Sequence, residues 1–206
     1  MPRCSLIAFC ILSLPALACS SVVDGIHNFH QIDEHVYRGA QPTPEGFRYL
    51  AKIGVKTVVD LRKGGERSSA EARLVESLGM RYVSIPMSGY MPPTGPEITA
   101  VLALLEDGAT GPTFVHCRRG ADRTGAVIAA YRIDHDHWKN FRALEEALWF
   151  GMSPLQWPRM NFIRKFQPRK YGKDSQPSVT HQDKGNSART LAQGAGLCRL
   201  QLSSST

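Results

Sequence analysis

The chain has 206 residues with 42% hydrophobic and 21% charged positions, enough for one domain with a real core and little else. Its formal charge of +7 suggests a nucleic-acid partner until the charge is located. From Arg169 on, Arg169, Lys170, Lys173, Lys184, Arg189 and Arg199 outnumber Asp174 and Asp183, and Arg3 lies near the start, so the remainder is nearly balanced and carries no nucleic-acid footprint.

In chain order, residues 1–18 read as an export signal. Arg3 precedes an apolar run from Leu6 to Leu14, too short to span a bilayer, and Ala16-Leu17-Ala18 places small residues at a cleavage position. Cys19 directly after Ala18 raises a second reading, a lipoprotein signal whose lipidated Cys19 anchors the chain to a membrane, although Ala16 stands where such signals usually carry Leu. The mature protein is then exported: periplasmic, lipid-anchored in the envelope, or secreted. Cys4, Cys10 and Cys19 belong to this segment, leaving Cys117 and Cys198, so no disulfide framework is expected and Cys198 reads as a tail thiol.

A domain over residues 22–167 follows. Residues 28–38 read as a small hairpin, and Thr43 caps a helix opened by Pro44, with Phe47, Leu50, Ala51 and Ile53 inward. Lys56 to Leu61 is a buried strand, and Glu66 to Leu78 a helix with Leu74, Val75 and Leu78 inward and Gly79 as its stop. Arg81 to Ile85 is a strand, Pro86 to Gly95 a proline-rich loop, and Pro96 opens another helix through Leu105. Thr113 to His116 is the strand that delivers Cys117, with a helix from Gly125 to Asp134 behind it. Phe141 to Phe150 and Pro154 to Phe166 complete the helices, with Trp138, Trp149 and Trp157 expected in core or groove packing, and residues 168–206 read as a disordered basic tail. The alternation predicts an α/β fold, a central mostly parallel sheet with helices on both faces, whose ligands sit beyond the carboxyl ends of the strands.

That position is held by His116-Cys117-Arg118-Arg119-Gly120-Ala121-Asp122-Arg123-Thr124-Gly125. A cysteine at a strand end, a glycine-containing loop, an arginine and a helix start make an anion site, because loop N–H groups and the helix dipole converge on one spot. The donors that hold phosphate also favour the thiolate of Cys117, the strongest nucleophile there. Arg123 offers two parallel N–H bonds to phosphate oxygens.

This run resembles the signature loop of the cysteine-dependent protein tyrosine and dual-specificity phosphatases. Val36 to Pro44 and Gly54 to Arg62 resemble the start of the compact bacterial members related to inositol pyrophosphate phosphatases. The resemblance implies a dual-specificity-phosphatase-like fold and a phosphorylated protein or inositol phosphate as substrate; a monomer without cofactor or metal is expected. It implies two-step transfer: Cys117 attacks phosphorus, the amides from Arg118 through Arg119, Gly120, Ala121 and Asp122 to Arg123 hold the oxygens, and water hydrolyses the phosphocysteine. Thr124 donates to the departing sulfur, and His116 orients the loop. The general acid departs from the family pattern, since no aspartate lies between Asp60 and Asp107; Asp122 is either that acid or a brace for the loop, with Glu97 a further option. Arg118 and Arg119 suit a polyphosphorylated substrate or are solvated, and Arg38 and Arg62 are expected to extend the basic rim. A metal at Asp134-His135-Asp136-His137 with His27 and His30 is the alternative that the histidines raise, with solvated polar residues as the plainer reading. A phosphate-binding module without turnover would keep the cradle but lose Cys117 or Arg123, and both are present.

Overall fold

In the computed structural model, residues 25–169 are described, so the expected signal segment, Cys19, Cys198 and the tail beyond Arg169 lie outside the described residues. Strand β1 (His30–Gln31) and β2 (Val36–Ala40) form the expected hairpin, followed by α1 (Pro44–Lys52), β3 (Thr57–Asp60), α2 (Glu66–Ser77), β4 (Arg81–Ser84), α3 (Gly95–Glu106), a single 3₁₀ turn, β5 (Thr113–Cys117), α4 (Asp122–Asp134), α5 (Asn140–Trp149) and α6 (Trp157–Lys165). The sheet order is β1-β2-β5-β3-β4, with only β1 antiparallel. The expected class is therefore the observed one.

Strand β5 is central, and all five of its residues are buried, which is why Thr113-Phe114-Val115 is an unbroken run of β-branched and aromatic types. Its register sets Gly39 and Asp60 beside His116, and Ala40 beside Cys117. One core layer, with Val59, Val115, Val127, Ile128, Leu102 and Met87, fills the side of α3 and α4. The other, with Phe47, Leu50, Val58, Val75 and Phe114, fills the side of α1 and α2. A third cluster joins α4 to α5 and α6 through Ala126, Ala129, Ala143, Ala147 and Ile163, whose small side chains let the helices approach closely.

Local chemistry fixes the boundaries. Thr43 caps α1 by accepting from the Gly46 N–H, with Pro44 in the first turn. Thr94 and Glu97 form a capping box at the start of α3, so Glu97 is engaged in capping the helix N-terminus. Helix α4 starts at Asp122, three residues before the expected Gly125, so Asp122, Arg123 and Thr124 belong to its first turn. Helix α6 starts at Trp157 and not at Pro154, because Pro158 occupies the first-turn position where its missing N–H is harmless. Trp138 is half-buried between the guanidinium groups of Arg132 and Arg142, 4.5 and 3.7 Å from its ring, while Trp149 and Trp157 are exposed, contrary to the packing expected of them. Arg169, assigned by sequence to the tail, is tied to Asp134 and Glu106 at the end of the domain.

Candidate active site

The signature loop leaves β5 at Cys117 and re-enters structure at Asp122. It can turn so tightly because Gly120 has φ +68°, and a Cβ there would lie 2.4 Å from the Gly39 carbonyl carbon and 2.5 Å from the Ala40 nitrogen. Its carbonyls are pulled back into the scaffold. The Gln41 N–H donates to Arg118 O (3.4 Å), Arg38 Nη2 to Gly120 O (2.6 Å), and Asn28 Nδ2 to Gly120 O (3.1 Å) and Phe150 O (2.9 Å). Among the described residues no backbone carbonyl accepts from the N–H groups of Arg118 to Arg123. The first turn of α4 also has no intrahelical acceptors for its N–H groups. The result is an electropositive cradle around Cys117, whose thiol is free and buried at its base.

Arg123 closes the far side, with Nη1 3.3 Å from Leu61 O. The hydroxyl of Thr124 is fully buried and has no hydrogen-bond partner among the described residues, which leaves it available to a charged sulfur or to substrate. Asp122 has both oxygens engaged: Oδ1 accepts from the Ser153 N–H (3.0 Å) and Oδ2 from Arg119 Nη2 (2.5 Å). That is the geometry of a brace between the loop, Arg119 and the segment before α6. Arg119 points outward with 60% of its side chain exposed, whereas Arg118 lines the cavity above the loop.

Two of the expected rim cations are placed differently from the sequence reading. Arg38 is fully buried beneath the loop, stacked 3.9 Å over the Phe150 ring, so it supports Gly120 and does not reach the rim. Its pKa is pushed down to about 10, chiefly by burial, with the charges of Glu146 and Cys117 opposing. Arg62 does reach the cavity wall, but its guanidinium joins two carboxylates, Asp60 (2.8 and 2.7 Å) and Glu71 (2.6 Å).

Glu71 continues the network. Its Oε1 lies 2.9 Å from His116 Nε2, too bent for a linear hydrogen bond but within ion-pair distance, and Oε2 also accepts from Gln41 (3.2 Å). His116 Nδ1 sits 3.4 Å from the Cys117 carbonyl, so the ring holds the strand end rather than facing substrate. Tyr82 donates to Asp60 (2.7 Å), as does Ser68 (3.2 Å). Burial alone would raise Asp60, yet the Arg62 hydrogen bonds, the His116 charge and the Tyr82 hydroxyl hold it below the usual carboxylate range. Asp60, Glu71 and His116 have ligand atoms close enough for a metal, but Arg62 already bridges the carboxylates and supplies the positive charge. The expected metal candidates are likewise engaged, Asp136 with Arg132 (2.7 Å) and His135 (2.8 Å), and Asp134 with Arg169 (2.5 Å).

A cavity of about 680 Å³ opens over the loop, lined by Gln41, Arg62, Lys63, Gly64, Gly65, Glu66, Arg67, Ser68, Gly89, Arg118 and Arg123. With Arg62 paired to Asp60 and Glu71, the wall cations Lys63, Arg67, Arg118 and Arg123 against Glu66 leave it positive. Its far wall includes the loop before α3, whose Ser88 and Gly89 carbonyls accept from Arg159 (2.5 and 3.0 Å), a fully buried side chain of α6 whose pKa is lowered first by burial. Sequence reasoning missed Glu71, Asn28, Lys63, Arg67 and Arg159. A signal existed for Glu71: Ser68, Glu71 and Val75 share the buried stripe of α2, and an acid on such a stripe needs a partner. Asn28, at φ +57°, carried no comparable mark.

Residues 19–156 match the family described as "DSP-PTPase phosphatase fused to NAD+ Kinase". Among curated relatives, the dual specificity protein phosphatase TpbA of Pseudomonas aeruginosa is 30% identical over 129 residues, 63% of this chain and 57% of that protein. The inositol diphosphatase DSP3 of Arabidopsis thaliana is 25% identical over 145 residues, 68% of this chain and 70% of that protein. The chain thus spans little more than half the length of TpbA. A crystal structure of Pseudomonas aeruginosa TpbA in complex with phosphotyrosine superposes with a TM-score of 0.58 at 28% identity, covering 67% of this chain and 83% of that one. The catalytic core of the PP-IP phosphatase SIW14 of S. cerevisiae superposes at 0.61 with 23% identity, covering 70% and 88%, a likeness of fold.

Proposed function

The chain belongs to the DSP-PTPase phosphatase family, and from that premise we propose that it is a cysteine-dependent phosphatase that hydrolyses phosphomonoesters, phosphotyrosine or phosphoserine and phosphothreonine of proteins, through a phosphocysteine intermediate. The observation that carries this reading is the buried Cys117 thiol at the base of an N–H cradle closed by Arg123. In the first step the S–P bond forms as the P–O bond to the leaving group breaks, while the loop amides and Arg123 hold the three equatorial oxygens. In the second, water attacks phosphorus and the thiolate departs, assisted by the unpaired Thr124 hydroxyl.

A second reading, an inositol phosphate or phosphoinositide, is favoured by one observation: Lys63, Arg67 and Arg118 line the cavity beyond the cations that one phosphate needs. We further propose, from the reading of residues 1–18 as an export signal, that the protein acts outside the cytoplasm, with or without an anchor at Cys19; the mass of the mature N-terminus tests this.

The test is phosphate release by the wild type and Cys117→Ser from a phosphotyrosine peptide, a phosphoserine peptide and a polyphosphorylated inositol. Turnover insensitive to chelators and absent in Cys117→Ser supports the thiolate mechanism, and the ranking of substrates separates the two readings. No release from any of them under reducing conditions refutes the proposal.

A further inference from the structure

Among the described residues, seven large hydrophobic side chains are exposed, and six of them stand on two segments, one that borders the cavity at Gly89 and one that packs against the signature loop. Tyr90 (54%) and Met91 (57%) follow Gly89, which lines the cavity. Leu148, Trp149 (87%), Leu155 (81%) and Trp157 (62%) belong to the end of α5, the start of α6 and the turn between them.

Both segments are anchored at the site. Asn28 bonds Phe150 O and Gly120 O together, a Cβ on Gly151 would lie 3.9 Å from that of Ala121, and the Ser153 N–H donates to Asp122. Arg159 straps Ser88 and Gly89 to α6, and Pro92 shares a surface groove with Pro158. Exposed apolar side chains scattered singly are ordinary, but six on two segments tied to each other and to the signature loop mark an interaction surface.

We propose that this rim docks the enzyme on an anionic lipid bilayer, with Trp149, Leu155, Trp157 and Met91 entering the headgroup boundary and the cavity cations facing the anionic headgroups. This rests on the cavity being the substrate site, as proposed above. Two features select a bilayer over other partners. The four side chains project from the surface, more than half exposed, as side chains that enter a lipid boundary do. A second copy meeting this face would bring two sets of Lys63, Arg67 and Arg118 together, whereas an anionic membrane offers negative charge above an apolar layer. Tryptophan and tyrosine, with an apolar body and a polar tip, are the residues that settle at such a boundary.

The chain carries its own reporters, since Trp149 and Trp157 are exposed while Trp138 is held between Arg132 and Arg142. The full chain is mixed with phosphatidylcholine vesicles, with and without phosphatidylglycerol, made from lipids brominated in the acyl chains. Expected is a fall of tryptophan emission by roughly half with a shift to shorter wavelength in the anionic vesicles, weaker at high salt. The fall is lost in the double variant Trp149→Phe, Trp157→Phe and reduced by Leu155→Ser with Met91→Ser. Hydrolysis of a soluble aryl phosphate is followed in parallel and stays at the wild-type rate in these variants. Unquenched emission with hydrolysis intact overturns the proposal. So does co-sedimentation without quenching, which assigns membrane binding to the N-terminal segment, and so does a concentration-dependent dimer lost in Leu155→Ser without lipid quenching. Loss of hydrolysis in the wild type would instead defeat the enzymatic reading, so the two failures are distinguishable.

Discussion

Arg38→Met tests whether the buried arginine beneath the loop serves the fold or the site. Burial lowers its pKa to about 10, a displacement worth about 3 kcal/mol against the charged form. Its Nε and Nη1 have no hydrogen-bond partner among the described residues, so those two donors are dehydrated without return. On the favourable side are the charge-assisted bond to Gly120 O, worth about 1.5–3 kcal/mol, and the stack on Phe150, worth about 0.5–2 kcal/mol. Methionine fills most of the volume and abolishes both sides of the balance. Urea unfolding should therefore show a stability change within about 1 kcal/mol. Activity should respond differently. Gly120 O keeps only the longer Asn28 bond, the loop loosens, and kcat/KM on an aryl phosphate should fall about ten- to a hundredfold. A loss of about 3–5 kcal/mol of stability would show that the charge is compensated by partners this reasoning overlooks, and an unchanged kcat/KM would show that the cradle needs no tether at Gly120.

Gly120→Ala adds a Cβ 2.4 Å from backbone at a positive φ, so it should destabilise the protein by about 2 kcal/mol or more and remove most activity; thermal unfolding with wild-type rates would contradict the close approach. Glu71→Gln keeps the shape but removes the charge shared by Arg62 and His116, and should cost about 1–3 kcal/mol in urea unfolding while leaving the Asp60–Arg62 pair intact; a neutral effect would show that Asp60 alone suffices. Tyr82 and Tyr131 have raised pKa values, in each case first from burial and then from donating to Asp60 and Asp33. Both hold their protons more tightly when folded, so their contribution is complete below pH about 10 and is lost as pH rises through the folded values. The melting temperature of Tyr82→Phe, Tyr131→Phe should therefore decline less steeply than wild type above pH about 10. Parallel alkaline limbs would refute the linkage.

The parts of the structure legible in the sequence are those fixed by local chemistry. Thr43-Pro44 announced α1, the unbroken run Thr113-Phe114-Val115 announced a central strand, and the HCRRGADRTG spacing placed a cysteine at a strand end before a helix. What was not legible depends on partners distant in sequence. Arg38 read as a rim cation because a surface site is the usual place for arginine, and only the parallel pairing of β2 with β5 puts it under Gly120. Glu71 meets His116 across 45 positions because α2 packs over the sheet beside β3, a contact that no local pattern encodes. Trp149 and Trp157 read as packed side chains because burial is their common fate, and a composition reading cannot see which aromatic lies on the outer face of a turn.

The source of the leaving-group proton decides which esters such a site can cleave. The loop from Pro86 to Pro93 carries no acid, and its backbone is held by Arg159. Asp122 is the nearest carboxylate in the signature, but Ser153 and Arg119 already occupy its two oxygens and only 14% of its side chain is exposed. A carboxylate pinned at both oxygens by Ser153 and Arg119 lacks the freedom to swing towards an ester oxygen and deliver a proton. Without another donor, the departing oxygen must leave as an anion, and the rate then follows the acidity of the leaving group. Aryl phosphates and phosphoanhydrides should be cleaved far faster than alkyl phosphates. Asp122→Asn, which keeps an acceptor for Ser153 but loses the Arg119 pair, should slow both classes by the same modest factor. Comparable wild-type rates for alkyl and aryl esters, with selective loss of the alkyl rate in Asp122→Asn, would establish Asp122 as the general acid and show that its bonds to Arg119 and Ser153 open when substrate is bound.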